Sequence, residues 1–249
     1  MVRKKYSGKK LYRIRGRVEF VDASGQHYYP LKDTIFERTH LSLWKWFFAI
    51  YLFSHAKNGV SAKELERQLG ISYKAAWRVE KKIRELVKPE DILLVGIVEV
   101  DEAFIGGRKH FKRGKKKSVK HIVVGLVQRE GEARAFVASD VSAYTLNNII
   151  VKNVHPFAHV MTDEWSGYMH LSKKYGYQRD FTTHKSRQYV NDLVHTNGVE
   201  CLWSRLKRCL RGTYHNVSKQ HLQGYVDLFV FYWNIRKKSR IFEIMLDKI

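Results

Sequence analysis

The apolar residues of this chain change their spacing at Lys88-Pro89-Glu90-Asp91, and that change limits what the chain can fold into. Ahead of it, apolar positions recur three and four apart, the period of a helix buried along one face; beyond it they form short continuous or alternating runs of strand length. Proline disfavours helical geometry in the residue before it, and three charged neighbours interrupt the apolar pattern, so the segment reads as a domain boundary. With 249 residues, the chain has room for a small helical module followed by a larger domain with its own core.

Residues 1–38 are rich in Lys, Arg, Tyr and Gly, and alternate over stretches such as Leu11 to Phe20, which predicts a basic, strand-rich arm. Residues 39–90 read as all-α. Leu43, Trp44, Phe47, Phe48, Tyr51 and Leu52 repeat at helical spacing over Leu41 to His55 and are expected to form a buried stripe. After a loop at Asn58-Gly59, Ser61 and Glu64 have capping-box spacing and open a helix to about Leu69. Gly70 ends it, and Ser72 caps a second helix, Tyr73 to Leu86, with Ala76, Trp77, Val79 and Ile83 expected inward.

Residues 91–240 predict a mixed sheet with flanking helices, an α/β class. Ile92 to Val100, His121 to Gln128 and Ala133 to Ala138 read as an antiparallel meander, joined by the basic loop Arg108 to Lys120 and a turn at Glu130-Gly131. A helix (Ser142 to Val154), a strand (His159 to Thr162), a helix (Gly167 to Tyr175) and a strand (Gln178 to Thr183) follow; Val199 to Leu210 and Gln220 to Lys237 are the last helices. Residues 241–249 are left as a tail.

Lys and Arg number 46 against 24 acids, a formal net charge of +22 spread along the whole chain. A polyanion is the expected partner, and charge alone suits nucleic acid or an anionic membrane surface. The apolar runs Leu43 to Phe53 and Leu228 to Ile235 fall short of the roughly 20 residues a bilayer requires, and Met1 to Phe20 lacks the apolar core of a secretory signal, so no membrane association is expected. Cys201 and Cys209, eight apart on one helix, stand about 12 Å apart at 1.5 Å per residue, which predicts two free thiols in an intracellular protein.

Three sets of residues can carry chemistry. The two helices around Gly70 have the form of a helix-turn-helix, whose second member would present Tyr73, Lys74, Arg78 and Lys81 to a DNA groove; an ordinary helical hairpin with a solvated basic face has the same spacing. Asp101 and Asp163 follow apolar strand runs, where a carboxylate projects from a fixed backbone, although acids also end strands because they are poor strand formers. Glu200 opens a helix that carries Trp203 and Lys207 on nearly the same face. Three carboxylates from two strands and a helix are the donor set that two-metal phosphoryl chemistry requires.

The segments Asp101-Glu-Ala-Phe-Ile-Gly-Gly107, Thr162-Asp-Glu-Trp-Ser-Gly-Tyr168, His195-Thr-Asn-Gly-Val-Glu200 with Trp203 and Lys207, Gly212-Thr-Tyr-His215 and Tyr232-Trp-Asn-Ile-Arg236 resemble the insertion-sequence transposases of the IS1595 (ISXO2-like) family. The likeness covers about residues 34 to 240. It implies a ribonuclease-H-like catalytic domain in which Asp101, Asp163 and Glu200 hold two Mg2+ or Mn2+ ions, with Lys207 as the lysine that follows the triad. Many relatives carry a zinc ribbon ahead of the helix-turn-helix; residues 1–38 contain no cysteine, so no zinc is expected.

The lysine cluster Lys115, Lys116 and Lys117 is expected to bind DNA, as are His195 and Asn197 unless they orient the catalytic helix instead. Expected partners are double-stranded transposon ends and target DNA, with the chain acting as a dimer or higher oligomer on DNA. A cytoplasmic, nucleoid-associated location follows, or a nuclear one in a eukaryotic host. A nuclease without strand transfer and a DNA-binding regulator remain the alternatives.

Overall fold

The structure, a computed structural model, describes residue 8 and residues 10–106, 120–182 and 196–249. Two compact units divide the chain: Met1–Ala56 with Ala62–Leu86 and Arg240–Ile249, and Lys57–Ser61 with Val87–Ser239.

The first unit opens with three short antiparallel strands in the arm, β1 (Leu11–Arg13), β2 (Phe20–Asp22) and β3 (His27–Tyr28). Asp22 ties their turn by accepting hydrogen bonds from the Ser24 and Gln26 amides and the Tyr28 hydroxyl. Helix α1 (Leu43–His55) is present, but its buried face differs from the expected one. Trp46, Ala49, Ile50 and Phe53 point inward, while Leu43, Trp44, Phe47 and Tyr51 are exposed. The helix is apolar almost all round, so periodicity could not choose a face; Trp46 is drawn inward as its indole N–H donates to Thr39 Oγ1.

Helices α2 (Ala62–Leu69) and α3 (Tyr73–Leu86) follow, with Ser72 Oγ accepting from the Ala75 amide to cap the second. Ala76, Val79 and Ile83 are buried as expected; Trp77 is half-buried. Glu80 and Arg84 form a buried ion pair one turn apart, each offsetting the charge of the other. Tyr73, Lys74, Arg78 and Lys81 all lie on the exposed surface of α3. The C-terminal residues form a further helix, named α8 below (Ile241–Asp247), whose Phe242 ring meets Tyr51 of α1 edge to face.

The second unit is built on a five-stranded mixed sheet in the order β6-β5-β4-β7-β8. Strands β4 (Ile97–Ile105), β5 (His121–Gln128) and β6 (Ala133–Ala138) form the expected meander. Strands β7 (His159–Asp163) and β8 (Gln178–Thr182) run parallel to β4 and to each other. Helix α4 (Ala143–Asn153), capped by Ser142 Oγ, connects β6 to β7, and α5 (His170–Tyr175) leads into β8. Leu146, Ile150, Tyr168 and Leu171 seal one sheet face over Val98, Val100 and Val124. Helices α6 (Asn197–Cys209) and α7 (Lys219–Asn234) seal the other, with Leu202, Leu206, Val226 and Phe229 over Ala103, Ile105 and Val123.

Strand β4 lies five residues later than its apolar run suggests. Gly96 turns the chain with φ of 67°, leaving Ile92, Leu93 and Val95 exposed ahead of the strand. Beyond it, eight register pairs with β5 carry β4 through Asp101 and Glu102 to Ile105. Asp101 therefore lies mid-strand, not at a strand end. No helix among the described residues is long and apolar enough to cross a membrane.

Candidate active site

Alternation along β4 sorts its acids by face. Glu99 and Asp101 share the face that carries Ala103 and Ile105, under α6 and α7; Glu102 shares the face of Val98 and Val100, under α4. Strands β4 and β7 pair from Ile97↔His159 to Glu99↔Met161. Asp101 and Asp163 each lie two residues beyond that last pair, and parity places them on the same face.

Asp101 Oδ2 accepts the indole N–H of Trp203 at 2.9 Å. The Trp203 ring lies over Gly125, directly across from Asp101 on β5; a Cβ at Gly125 would stand 2.6 Å from two ring carbons. Burial is the main reason that the Asp101 carboxyl is pushed up to about 6; the Trp203 bond opposes the shift, and negative charge on Glu102 and Asp163 adds to it. Glu102 also titrates above its ordinary range, through burial first and Asp163 second, against a 2.6 Å hydrogen bond from the buried Tyr168 hydroxyl. Asp101, Glu102 and Asp163 thus form a mutually repelling group at the point where β4 and β7 part. Arg179 of β8 braces it, donating from Nε to Thr162 Oγ1 at 2.9 Å and from a terminal nitrogen to the Asp163 carbonyl at 3.0 Å. The Asp163 carboxylate accepts the Trp165 amide at 3.0 Å, fixing the turn that follows β7.

Glu200 is placed differently. It is exposed in the first turn of α6, where Thr196 Oγ1 lies 3.5 Å from its carboxylate. Val199, Leu202, Trp203 and Leu206 form the buried stripe of α6. At about 100° per residue, Glu200 sits roughly 60° and Lys207 about 40° to the same side of Trp203, so both edge one side of the tryptophan that reaches Asp101. Among the described residues, no three His, Cys, Asp or Glu side chains converge into a metal-binding group. The donors that do approach one another, Asp101 and Asp163, are oxygen-only and repel, which suits a hard divalent cation.

Lys207 is half-buried and lines a surface cavity with Ser204, Arg208, Arg211 and Gly212. At its end, α6 widens into a π-turn over Leu210–Tyr214, beside that basic surface. Asn197 is exposed at the first position of α6. His195 and the Lys115, Lys116 and Lys117 cluster lie outside the described residues. Both cysteines are free; burial pushes the Cys209 thiol up to about 12, so it stays protonated.

Sequence reasoning missed the groups that hold these acids in place. Glu99 is 1% exposed and binds the start of α6: one oxygen accepts the Gly198 and Val199 amides at 2.7 and 3.1 Å, and the other accepts Arg129 Nε at 2.8 Å. Its parity with Asp101 was readable; its partners, 30 residues along the chain at Arg129 and about a hundred along at Gly198 and Val199, were not.

A family model described as an ISXO2-like transposase domain matches residues 93–234. An uncharacterized protein in transposable element ISH50 of Halobacterium salinarum is 28% identical over 213 residues, covering 79% of this chain and 71% of that protein. A chain in the cryo-EM structure of the simian T-cell lymphotropic virus intasome, in complex with PP2A regulatory subunit B56 gamma, aligns with a TM-score of 0.33 and 14% identity. That alignment covers 76% of this chain and 65% of the intasome chain.

Proposed function

The chain belongs to the ISXO2-like transposase family, and from that membership we propose that it cuts the ends of a mobile element and joins them to target DNA. Residues 91–240 would be a ribonuclease-H-like catalytic domain. The α2–α3 pair, within residues 39–90, would be a helix-turn-helix that reads the terminal repeats through Tyr73, Lys74, Arg78 and Lys81. A charge of +22 supports a DNA partner, since neutralising phosphates releases bound counterions.

The observation that carries the catalytic reading is the placement of Asp101 and Asp163 on neighbouring strands and one sheet face, with Asp101 buried against its ionised form. Asp101, Asp163 and Glu200 would hold Mg2+ or Mn2+, which when bound neutralises charge on the scissile phosphate and its attacking and leaving oxygens. Trp203 keeps the Asp101 carboxylate aimed, and Arg179 fixes the backbone at Asp163. Lys207, in its basic cavity, would hold a DNA phosphate beside the scissile one. Hydrolysis at each element end would free a 3′-hydroxyl, and that hydroxyl would attack a target phosphorus in line, forming a new P–O bond as the target strand's 3′-oxygen leaves. Both ends must be held together, so the working form would be a dimer or larger on DNA, in the cytoplasm or, in a eukaryotic host, the nucleus.

The test uses labelled duplex carrying the inverted repeat that flanks the coding sequence, plus a target plasmid, with and without magnesium. Metal-dependent joined product supports the proposal. Cleavage without joining would make the chain a nuclease, and binding without cleavage a regulator.

A further inference from the structure

Helix α6 begins without a local cap. Thr196, at the N-cap position, makes no side-chain hydrogen bond to the first amides. Those amides belong to the group of four at a helix start that have no partner within the helix. Glu99 of β4 supplies the acceptor instead: its Oε2 takes the Gly198 and Val199 N–H groups, and Arg129 Nε holds Oε1. A buried carboxylate with this set of donors is compensated in charge and in hydrogen bonds, and it meets the positive end of the helix dipole.

Space around this carboxylate is equally defined. A Cβ at residue 198 would lie 2.7 Å from Glu99 Oε2, so only glycine lets the helix start settle on the acid. The second contact between α6 and β4, Trp203 with Asp101, lies four residues further along the helix and two further along the strand. Four helical residues rise about 6 Å and two strand residues about 6.6 Å, so the two contacts match in length. Glu200 sits between them.

We propose that Glu99, clamped by Arg129 and seated against Gly198, is a positioning residue that sets where α6 presents Glu200 relative to Asp101. The inference rests on reading Asp101, Asp163 and Glu200 as the catalytic carboxylates. Glu99 binds no cation in this arrangement, because both its oxygens are occupied by donors. Its carboxylate fixes the height of the helix, and the tryptophan bond fixes its rotation.

The test compares Glu99→Gln with Gly198→Ala in the full chain. Gln keeps one acceptor but loses the ion pair with Arg129; Ala leaves every charge in place and puts a methyl where the Glu99 oxygen lies. Hydrogen exchange at the Gly198 and Val199 amides should accelerate at least tenfold in both. Mn2+ binding, followed by electron paramagnetic resonance without DNA, should weaken at least fivefold. Single-turnover cleavage with DNA and metal saturating should fall at least tenfold, with end affinity within twofold of the parent. The double variant should be no slower than the slower single one, since both break one contact. Thermal unfolding provides the control: a merely structural role lowers rate and Mn2+ binding only by the unfolded fraction, and that result overturns the proposal. Parent-like exchange, Mn2+ binding and cleavage in Gly198→Ala, where Asp101→Asn is inactive, overturns it too. Should Glu99→Gln fail to fold, Gly198→Ala alone carries the same readouts. Retained joining by Asp101→Asn would instead remove the catalytic reading on which the inference rests.

Discussion

Replacing Asp101 by Asn should stabilise the metal-free protein at neutral pH while abolishing its chemistry. Burial, aided by the charges of Glu102 and Asp163, raises the Asp101 carboxyl from 3.8 to about 6. The native state therefore holds this proton more tightly than the unfolded chain does. The associated stability is fully present below about 3.8 and is lost as pH rises through about 6. Moving the carboxyl from 3.8 to about 6 corresponds to about 3 kcal/mol. Asn stays neutral across this range, and its carbonyl oxygen can still accept the Trp203 N–H, so the substitution removes the charge and keeps the contact. Urea unfolding with chelator at pH 4 and pH 7.5 reads the effect. The stability of Asp101→Asn relative to the parent should rise by about 2–3 kcal/mol between the two pH values. Magnesium should narrow the difference at pH 7.5 by stabilising the parent alone. A difference that stays constant across the two pH values would refute the argument that Asp101 is held against its ionised form.

Gly125→Ala should push Trp203 off Asp101, because the new methyl would stand 2.6 Å from its ring; about 1–3 kcal/mol of stability should be lost, read by thermal unfolding and tryptophan near-ultraviolet circular dichroism. Lys207→Ala should slow cleavage at saturating DNA well beyond its effect on affinity, whereas Lys207→Arg keeps part of the rate; Arg208→Ala should act mainly on affinity, and equal small effects at both positions would place Lys207 in the general basic surface. Removing Lys74 and Arg78 together should lower the ratio of end to random-sequence binding at fixed salt, with non-specific binding retained; an unchanged ratio would move recognition to residues 1–38.

Much of the fold was legible because the period of the apolar residues changes with the element. Helices α2, α3, α4 and α7 and strands β5 to β8 lie within a few residues of their expected bounds. Two failures have physical causes. Helix α1 is apolar on nearly every side, so only tertiary contacts could pick Trp46, Ala49, Ile50 and Phe53 as its inner face. Strand β4 was expected to stop at its acids, yet pairing with β5 along eight positions carries it past Asp101 and Glu102. The acids themselves were conspicuous. What fixes them was not, because Trp203 meets Asp101, and the start of α6 meets Glu99, across about a hundred residues.

The central claim is that Asp101, Asp163 and Glu200 act together in strand transfer. Strand joining by Asp101→Asn, Asp163→Asn and Glu200→Gln, each assayed beside Glu102→Gln and Glu164→Gln, tests it most directly. The first three should lose both cleavage and joining while binding element ends as well as the parent or better, and the two controls should retain measurable joining. Joined product from Asp163→Asn at the parent's rate would contradict it.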